Sequence, residues 1–446
     1  MSLRDSASLS LIPASPLPIQ EGMTHVPEPS STARTLLLLG CGSEQIEALR
    51  IARELGYRTV AFDNDPNAVG RAHADAFRRV DLKNPTELLG HAELVAPDGV
   101  FVHAAELAVE AATVADAFDL AGISVDAALD ATAKERRIAR FAEAGLRTPG
   151  FRVLDRDAPV GAWEEAARDI GFPCVLKPTD QAGARGVERI DDEAGVAAYH
   201  ARRTRFACPH FVCEQRLEGL ELSTESVRAG GKIRHHAFAL RHYDTTAHYA
   251  PAFIEDGHSL PYRLPEALRT EIEGVIERAF DVLGIPDGVL KGDLLIDPEG
   301  RVFVLEMAAR TSGGRFADTV VPLGTGVNIL YPLIEQAMGD AFSQDWFAPT
   351  REVGVSQRFF LHDAPGRVRR WPLLRRLVAR PWVSDWSIDE TRFASGVLPR
   401  IESHRERFGY VICTGDTREL ADARALEITR DFARALELDV LEEAEG

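Results

Sequence analysis

The run TLLLLGCGSEQIEALRIARELGYRTVAFDND, residues 35–65, constrains the fold more than any other stretch of the chain. Four consecutive leucines stop at a glycine turn, an amphipathic segment follows, and a second apolar run ends at Asp63 and Asp65. A short strand without polar alternation is buried on both faces, which is the habit of parallel sheets covered by helices. Strand, glycine turn, helix and strand together make the βαβ unit of a nucleotide-type α/β fold. The glycines approach the dinucleotide pattern GxGxxG. The third position is Gln45, however, so the close helix packing that NAD binding needs is lost. Further on, DGVFVHAAE reads as a strand ending near His103 and Glu106, ahead of a helix through AVEAATVADAFDLAG. Ligands of open α/β sheets gather beyond the strand ends, which makes Glu106 a candidate for holding a substrate amine. A glutamate favoured by the dipole at a helix N-terminus is the competing explanation.

From residue 130 the pattern changes. DATAKERRIARFAEAGLRTPGF reads as a helix with Lys134 near its start, closed by Gly145 and Pro149. FPCVLKPTDQAGARGVERI reads as a strand carrying Lys177, a glycine loop and a second strand. A lysine inside an apolar strand needs an anion, and Gly183-Ala184-Arg185-Gly186 can wrap N–H groups and a guanidinium around phosphates. The grip is not of the Walker type, because no GK[ST] follows the glycines. In HFVCEQRLEGLELSTESV, Gln215 to Leu217 can frame a flat base and Glu221 can accept from ribose hydroxyls. RHYDTTAHYAPAFIEDGHSLPYRLP reads as a polar and aromatic loop whose His242, His248 and His258 match no metal-ligand spacing. His258 is either a substrate contact or a residue of the loop surface.

GVLKGDLLIDPEGRVFVLE has the form of a hairpin turning at Asp297-Pro298-Glu299-Gly300. Asp293 and Glu306 then meet across the strands if they share a face. Adjacent carboxylates repel, and their ordinary use is to hold a hard divalent cation such as Mg2+ beside nucleotide phosphates. Arg310 sits just outside, free for an anion. The alternative is an unremarkable hairpin with rim charges, Glu306 simply pairing with Arg310.

A chain of 446 residues has room for about three domains. Its net charge of −18 argues against a nucleic-acid binder, which needs a basic face to displace counterions. Only GRVRRWPLLRRLVAR, 366–380, concentrates arginines, around Trp371, and a solvated amphipathic face explains it better than an anion-binding patch. No apolar run approaches the roughly 18 residues that cross a bilayer. Five cysteines without a CxxC indicate neither a disulfide framework nor a zinc site, and fit a reducing cytoplasm. Residues 1–33, rich in Ser and Pro, lack a signal peptide's apolar core and read as a disordered leader, with Met23 a second candidate start.

In their order and spacing these pieces resemble the ATP-grasp superfamily of carboxylate–amine ligases, in the branch of the L-amino-acid ligases and biotin carboxylases. The resemblance runs over about 34–446 and rests on GCGSEQ, on TAK at Lys134, on VLKP at Lys177 with its glycine loop, on EQRLEGLE, and on Asp293 and Glu306 followed by Arg310. The tail FGYVICTGDTRELADARALEITRDF is similar to the small C-terminal domain of those enzymes. The resemblance implies an α/β protein of ATP-grasp fold. It places an N-terminal Rossmann-like pre-ATP-grasp domain at 34–128, the ATP-grasp domain at 129–345 with a lid subdomain about 150–215, and a small C-terminal α+β domain at 346–446.

Carried over residue by residue, the resemblance puts Lys134 and Lys177 on the phosphates of ATP, under a loop that includes Gly183, Arg185, Gly186 and Val187. Glu214, Gln215 and Leu217 frame the adenine, and Glu221 takes the ribose. Asp293 and Glu306 bind Mg2+ or Mn2+, and Arg310 joins Lys177 as a catalytic residue at the reacting carboxylate. Glu106, His258, Gly313 and Gly314 fall on the substrate side, the two glycines leaving a wall without bulk that admits a larger side chain. Two positions after the metal glutamate the family commonly has Asn; Ala308 stands there, which leaves the metal fewer protein ligands. The form EMAARTSGG is nearer to the amino-acid ligases than to the biotin carboxylases.

The activity implied is that of a cytoplasmic, ADP-forming ligase that activates a carboxylate, that of an amino acid, as an acylphosphate and joins it to an amine. Its substrates are then small molecules, with no nucleic-acid or membrane partner, and the resemblance suggests a homodimer. Two readings compete: a biotin carboxylase-like or purine-pathway ligase with another acceptor, and a regulatory protein that binds nucleotide and turns nothing over. Asp293 and Glu306 speak against the second.

Overall fold

The computed structural model describes residues 33–440, so the expected leader lies outside the described residues except for its last position. Strands β1 (Thr35–Leu39), β2 (Arg58–Asp63), β3 (Ala76–Arg79) and β4 (Gly99–Phe101) form a parallel sheet in the order β3-β2-β1-β4. The leucine run explains its place at the centre. Leu36 and Leu38 pack with Ala48, Leu49 and Ile51 of the first helix, while Leu37 and Leu39 face Leu88, Ala92 and Val114 on the other side. Gln45 fills the turn that a dinucleotide would approach: its Oε1 accepts from the Gly42 N–H at 2.8 Å and its Nε2 donates to the His103 carbonyl at 2.7 Å.

A second sheet is antiparallel, with β5 (Phe151–Asp155), β6 (Cys174–Pro178), β7 (Glu188–Ile190) and β8 (His210–Gln215) in the order β5-β8-β6-β7. Trp163, Tyr199 and Phe211 fill the space between it and its two helices. The strands that follow are β9 (Leu220–Ala229), β10 (Lys232–His242), β11 (Gly257–Leu260), β12 (Gly288–Ile296), β13 (Val302–Ala308), β14 (Gly354–Phe360), β15 (Gly366–Arg370), β16 (Val383–Ile388), β17 (Val397–Leu398), β18 (Gly409–Gly415) and β19 (Glu437–Val440). Eight of them make one sheet, β13-β12-β9-β10-β11-β14-β18-β16; β15, β17 and β19 make a small one. The large sheet therefore runs without interruption from the hairpin into the C-terminal third.

Side-chain alternation sorts the two faces of this sheet. Leu222, Leu290 and Leu294 pack onto Ile272, Ile276 and Phe280 of the helix Glu266–Val282. The opposite face carries Glu221, Ser223 and Glu225 on β9, Lys291 and Asp293 on β12, and Glu306 and Ala308 on β13. These fall in register as Glu225–Lys291–Ala308 and Ser223–Asp293–Glu306.

Two local expectations change. The helix holding Lys134 is two, Val125–Thr132 and Lys134–Glu143, because Ala133 is extended (ψ 115°) and sets Lys134 at the first position of the second. The supposed loop 241–265 contains strands: His242 ends β10 and His258 lies within β11, and both are buried. Arg241 and His258 face a cavity, while His242, turned away from it, bonds Ser259 at 2.9 Å, so buried polar residues stand on both faces and the apolar alternation that marks a strand is missing. The arginines of 366–380 form the expected solvated face; Arg369, Arg370 and Arg380 pair with Asp439, Glu437 and Glu427 at 3.2–3.9 Å.

Candidate active site

The polar face of the large sheet, the lid sheet and the loops beyond β1 and β4 enclose a cavity of about 450 Å3. Glu214, Gln215 and Leu217 of the β8 exit line it together with Val175 and Leu305. Glu221 lines it too. Lys177 projects from β6 and its Nζ lies 2.6 Å from Glu214 Oε1. Lys134 comes from its helix start and donates to the Gln181 carbonyl just before the glycine loop, and both lysines line the same cavity. Burial pushes the Lys134 ammonium below its ordinary range, against the pull of Glu306. Gly183, Ala184 and Val187 line the cavity, whereas Arg185 and Gly186 do not. Gly186 is turned against Phe206, where a Cβ would meet Cζ at 2.4 Å, and its carbonyl accepts from Tyr199 Oη at 2.6 Å.

Asp293 and Glu306 are directly opposite in the β12–β13 ladder, where the bulge that follows Asp293 turns β13. Asp293 Oδ1 accepts from Ser223 Oγ at 2.9 Å, and Oδ2 meets the Lys291 ammonium and, at 3.0 Å, Arg241 Nη1. Glu306 Oε1 lies 3.4 Å from Arg137 Nη2; Oε2 carries no bond within the described residues. Burial works to raise the Glu306 carboxyl, but Lys291, Arg137, Lys134 and Arg310 outweigh it and hold the group well below the usual range. The charged end of the strand is thus a meeting point of four cations, not a lone pair with Arg310.

Arg310 instead reaches across to the loop after β4, where Nε donates to Glu106 Oε1 at 2.9 Å. Burial opposes both charges, and each partner's field overcomes it: Glu106 is held below the carboxylate range and Arg310 above the guanidinium range. The turn 311–314 that follows is fastened at three points. Thr311 Oγ1 bonds His103 Nδ1 at 2.7 Å, the Ser312 N–H donates to both oxygens of Glu225 at 3.2 and 3.3 Å, and the Gly314 N–H donates to Glu44 Oε1 at 2.8 Å. Gly313 lines the cavity, and a Cβ there would lie 2.8 Å from Glu44 Oε2. At Gly314 the Cβ direction is open, although its φ of +65° disfavours any side chain.

Glu225 is fully buried, and that burial, only partly offset by Ser312 and Arg310, pushes its carboxyl from 4.5 up to about 7. A raised carboxyl contributes stability in its neutral form, complete below the ordinary carboxylate range and lost as pH rises from there through 7. The loss is on the order of 3 kcal/mol. Glu225→Gln keeps an acceptor for Ser312 and removes the ionisation. Its melting temperature therefore rises against the parent at pH 8 and stays level at pH 5; an equal shift at both pH values would contradict this.

The far wall was not foreseen. Arg241, Tyr243 and Glu255 come from β10 and the segment after it, and Phe359 from β14. His404 and Arg407 enter from the C-terminal third. Glu255 Oε2 takes Arg241 at 3.1 Å and Arg407 at 3.2 Å, and Arg407 lies over the Phe359 ring at 3.7 Å. His258 faces Glu255 Oε1 at 3.4 Å and packs edge-on against Phe316, so it lines the cavity from a strand. The His404 N–H donates to the Gly183 carbonyl at 3.0 Å, tying the glycine loop to this wall. Lys291 carried the same signal as Lys177, a lysine within an apolar strand, and was legible on that ground; His404 and Arg407 carried none.

Residues 170–319 match the ATP-grasp domain family. The chain is 29% identical over 238 residues to a D-alanine–D-alanine ligase of Azoarcus sp. (strain BH72), covering 52% of this chain and 75% of that one. It spans only 41–61% of the length of seven further curated relatives, which are D-alanine–D-alanine ligases and formate-dependent phosphoribosylglycinamide formyltransferases. Among solved structures it resembles the L-amino acid ligase of Bacillus licheniformis, with a TM-score of 0.75 at 19% identity over 92% of this chain and 99% of that one. It also resembles the biotin carboxylase domain of the Hydrogenobacter thermophilus 2-oxoglutarate carboxylase, a dimer in complex with MgADP and bicarbonate (TM-score 0.66, 17% identity, 92% and 91% covered). ATP-grasp enzymes use ATP and Mg2+. With its lysines under a glycine loop and its paired carboxylates on the sheet, the chain carries an ATP-grasp domain, and ATP-grasp enzymes are ADP-forming ligases that make C–N bonds.

Proposed function

We propose that the protein joins the carboxylate of an amino acid to an amine, with ATP converted to ADP and phosphate. The observation that carries this reading is the Glu106–Arg310 pair at the substrate end of the cavity. A carboxylate and a guanidinium side by side are complementary to a zwitterion, whose ammonium would take Glu106 and whose carboxylate would take Arg310. Such a ligand replaces the pair without leaving either charge buried and alone, which would cost several kcal/mol.

The donor set suits Mg2+, which is commonly bound by one or two carboxylates and completes its shell with water and phosphate oxygens. Glu306 Oε2 and the one remaining lone pair of Asp293 Oδ1 would hold it, and the ion would supply positive charge to the phosphates. Lys134 and Lys177 do the same from the lid side, while the glycine loop keeps water from the site. Arg310 orients the substrate carboxylate toward the γ-phosphorus; the bond to the ADP oxygen breaks and an acylphosphate forms. The amine, its proton lost, attacks the acyl carbon, and phosphate leaves with the electron pair of the C–O bond. Arg310 remains on the acyl oxygen as it becomes anionic. A cytoplasmic setting and a homodimer belong to the same reading, the first supported by five unpaired thiols, all buried.

The test is ADP and phosphate release with Mg-ATP against single amino acids, pairs of them and bicarbonate, with the products weighed by mass spectrometry. ADP release that depends on an amino acid and yields a product lighter by one water is expected. Bicarbonate-dependent release without an amine would replace this reading by a carboxylase, and AMP release would remove the acylphosphate.

A further inference from the structure

We propose that the Lys291 ammonium takes the place of a second divalent cation, so that the site works with one metal ion per bound nucleotide. The inference rests on the reading of the cavity as an ATP site. Lys291 and Ala308 are directly opposite in the β12–β13 ladder, one residue pair away from Asp293 and Glu306 on the same face. A methyl group at 308 offers no donor to a metal and leaves room beside the carboxylates. The ammonium of Lys291 is what fills it, bonded to Asp293 Oδ2.

Sites that hold two divalent ions set them about 3.5–4 Å apart and need carboxylate or phosphate oxygens shared between them. Asp293 keeps a single lone pair, on Oδ1, and so has no second one to share between two ions. Oδ1 carries the Ser223 hydroxyl, and Oδ2 already carries Lys291 and Arg241. Glu306 keeps one oxygen without a bond, on the side away from Arg137. A first ion fits there with phosphate oxygens and water. A second, placed between the carboxylates and the end of β13, would stand against the ammonium, and at contact distance two such charges repel strongly. Among the described residues no cluster of three metal-ligating side chains exists, at these strands or elsewhere, so an ion here depends on phosphate oxygens and water to complete its shell.

Counting Mn2+ by electron spin resonance on the full chain saturated with a non-hydrolysable ATP analogue tests this, with analogue binding measured on the same sample. The wild-type chain is expected to retain one Mn2+, Lys291→Met two, and Lys291→Arg one. Two ions on the wild type would overturn the proposal whatever the variants do, and so would a single ion on a Lys291→Met protein that still binds the analogue. Failure of the wild-type chain to bind the analogue would instead overturn the ATP reading beneath it, which separates the two.

Discussion

Glu306→Ala forms ADP about 1000-fold more slowly than the wild type, a loss equivalent to roughly 4 kcal/mol of transition-state stabilisation. Glu306 supplies a carboxylate oxygen, Oε2, that carries no bond among the described residues, and it is also the counter-charge of Lys134, Arg137, Lys291 and Arg310. On the proposed reading, removing it would deprive the phosphoryl group of its metal and leave those cations facing one another. The triphosphate itself answers that excess of positive charge, so nucleotide binding survives while turnover does not. Steady-state ADP release and calorimetric titration with ATP check both halves, and a rate within tenfold of wild type would remove Glu306 from the metal.

Arg310→Ala loses amide formation by a factor of about 100 to 1000, the range for removing a donor aimed at a developing oxyanion. ATP affinity is expected to stay close to that of the parent, because Arg310 pairs with Glu106 and is not one of the residues, Lys134 and Lys177, proposed to hold the phosphates. Without its partner, the half-buried Glu106 carboxyl climbs from below the ordinary range toward or above it. The variant is therefore also expected to show a KM for the amino acid that worsens as pH falls, because a protonated Glu106 no longer offers a carboxylate to the substrate ammonium. Unchanged product yield, or an equal loss of ATP binding, would contradict the assignment.

Local pattern made part of this site readable. The hairpin around Asp297 fixed which residues face each other, so Asp293 and Glu306 were legible from spacing alone, and Lys177 stood out as a charge in an apolar strand. The four leucines gave the parallel sheet, and Gln45 the absence of a dinucleotide turn. What was not legible depends on contacts between distant segments. His404 and Arg407 meet Glu255 about 150 positions away, with no local sequence cue to bring them there. Glu44 beneath Gly313 and Glu225 beneath Ser312 are likewise visible only once the first sheet and β9 close on the same turn. His258 was misplaced for a related reason: a four-residue strand with its polar side inward looks like loop.

The large sheet offers no seam at which the molecule could be cut. β11, which carries His258, is hydrogen-bonded to β10 on one side and to β14 on the other, and β14 continues into β18. A fragment ending near residue 345 would leave β11 as an unprotected edge, open to pairing with other chains and to aggregation. It would also lack His404, Arg407 and the hydrogen bond that tethers the glycine loop. Grafting the last hundred residues from a relative would consequently replace one wall of the reaction chamber, so chimaeras made at that junction inherit substrate preference from both parents rather than from the central domain alone.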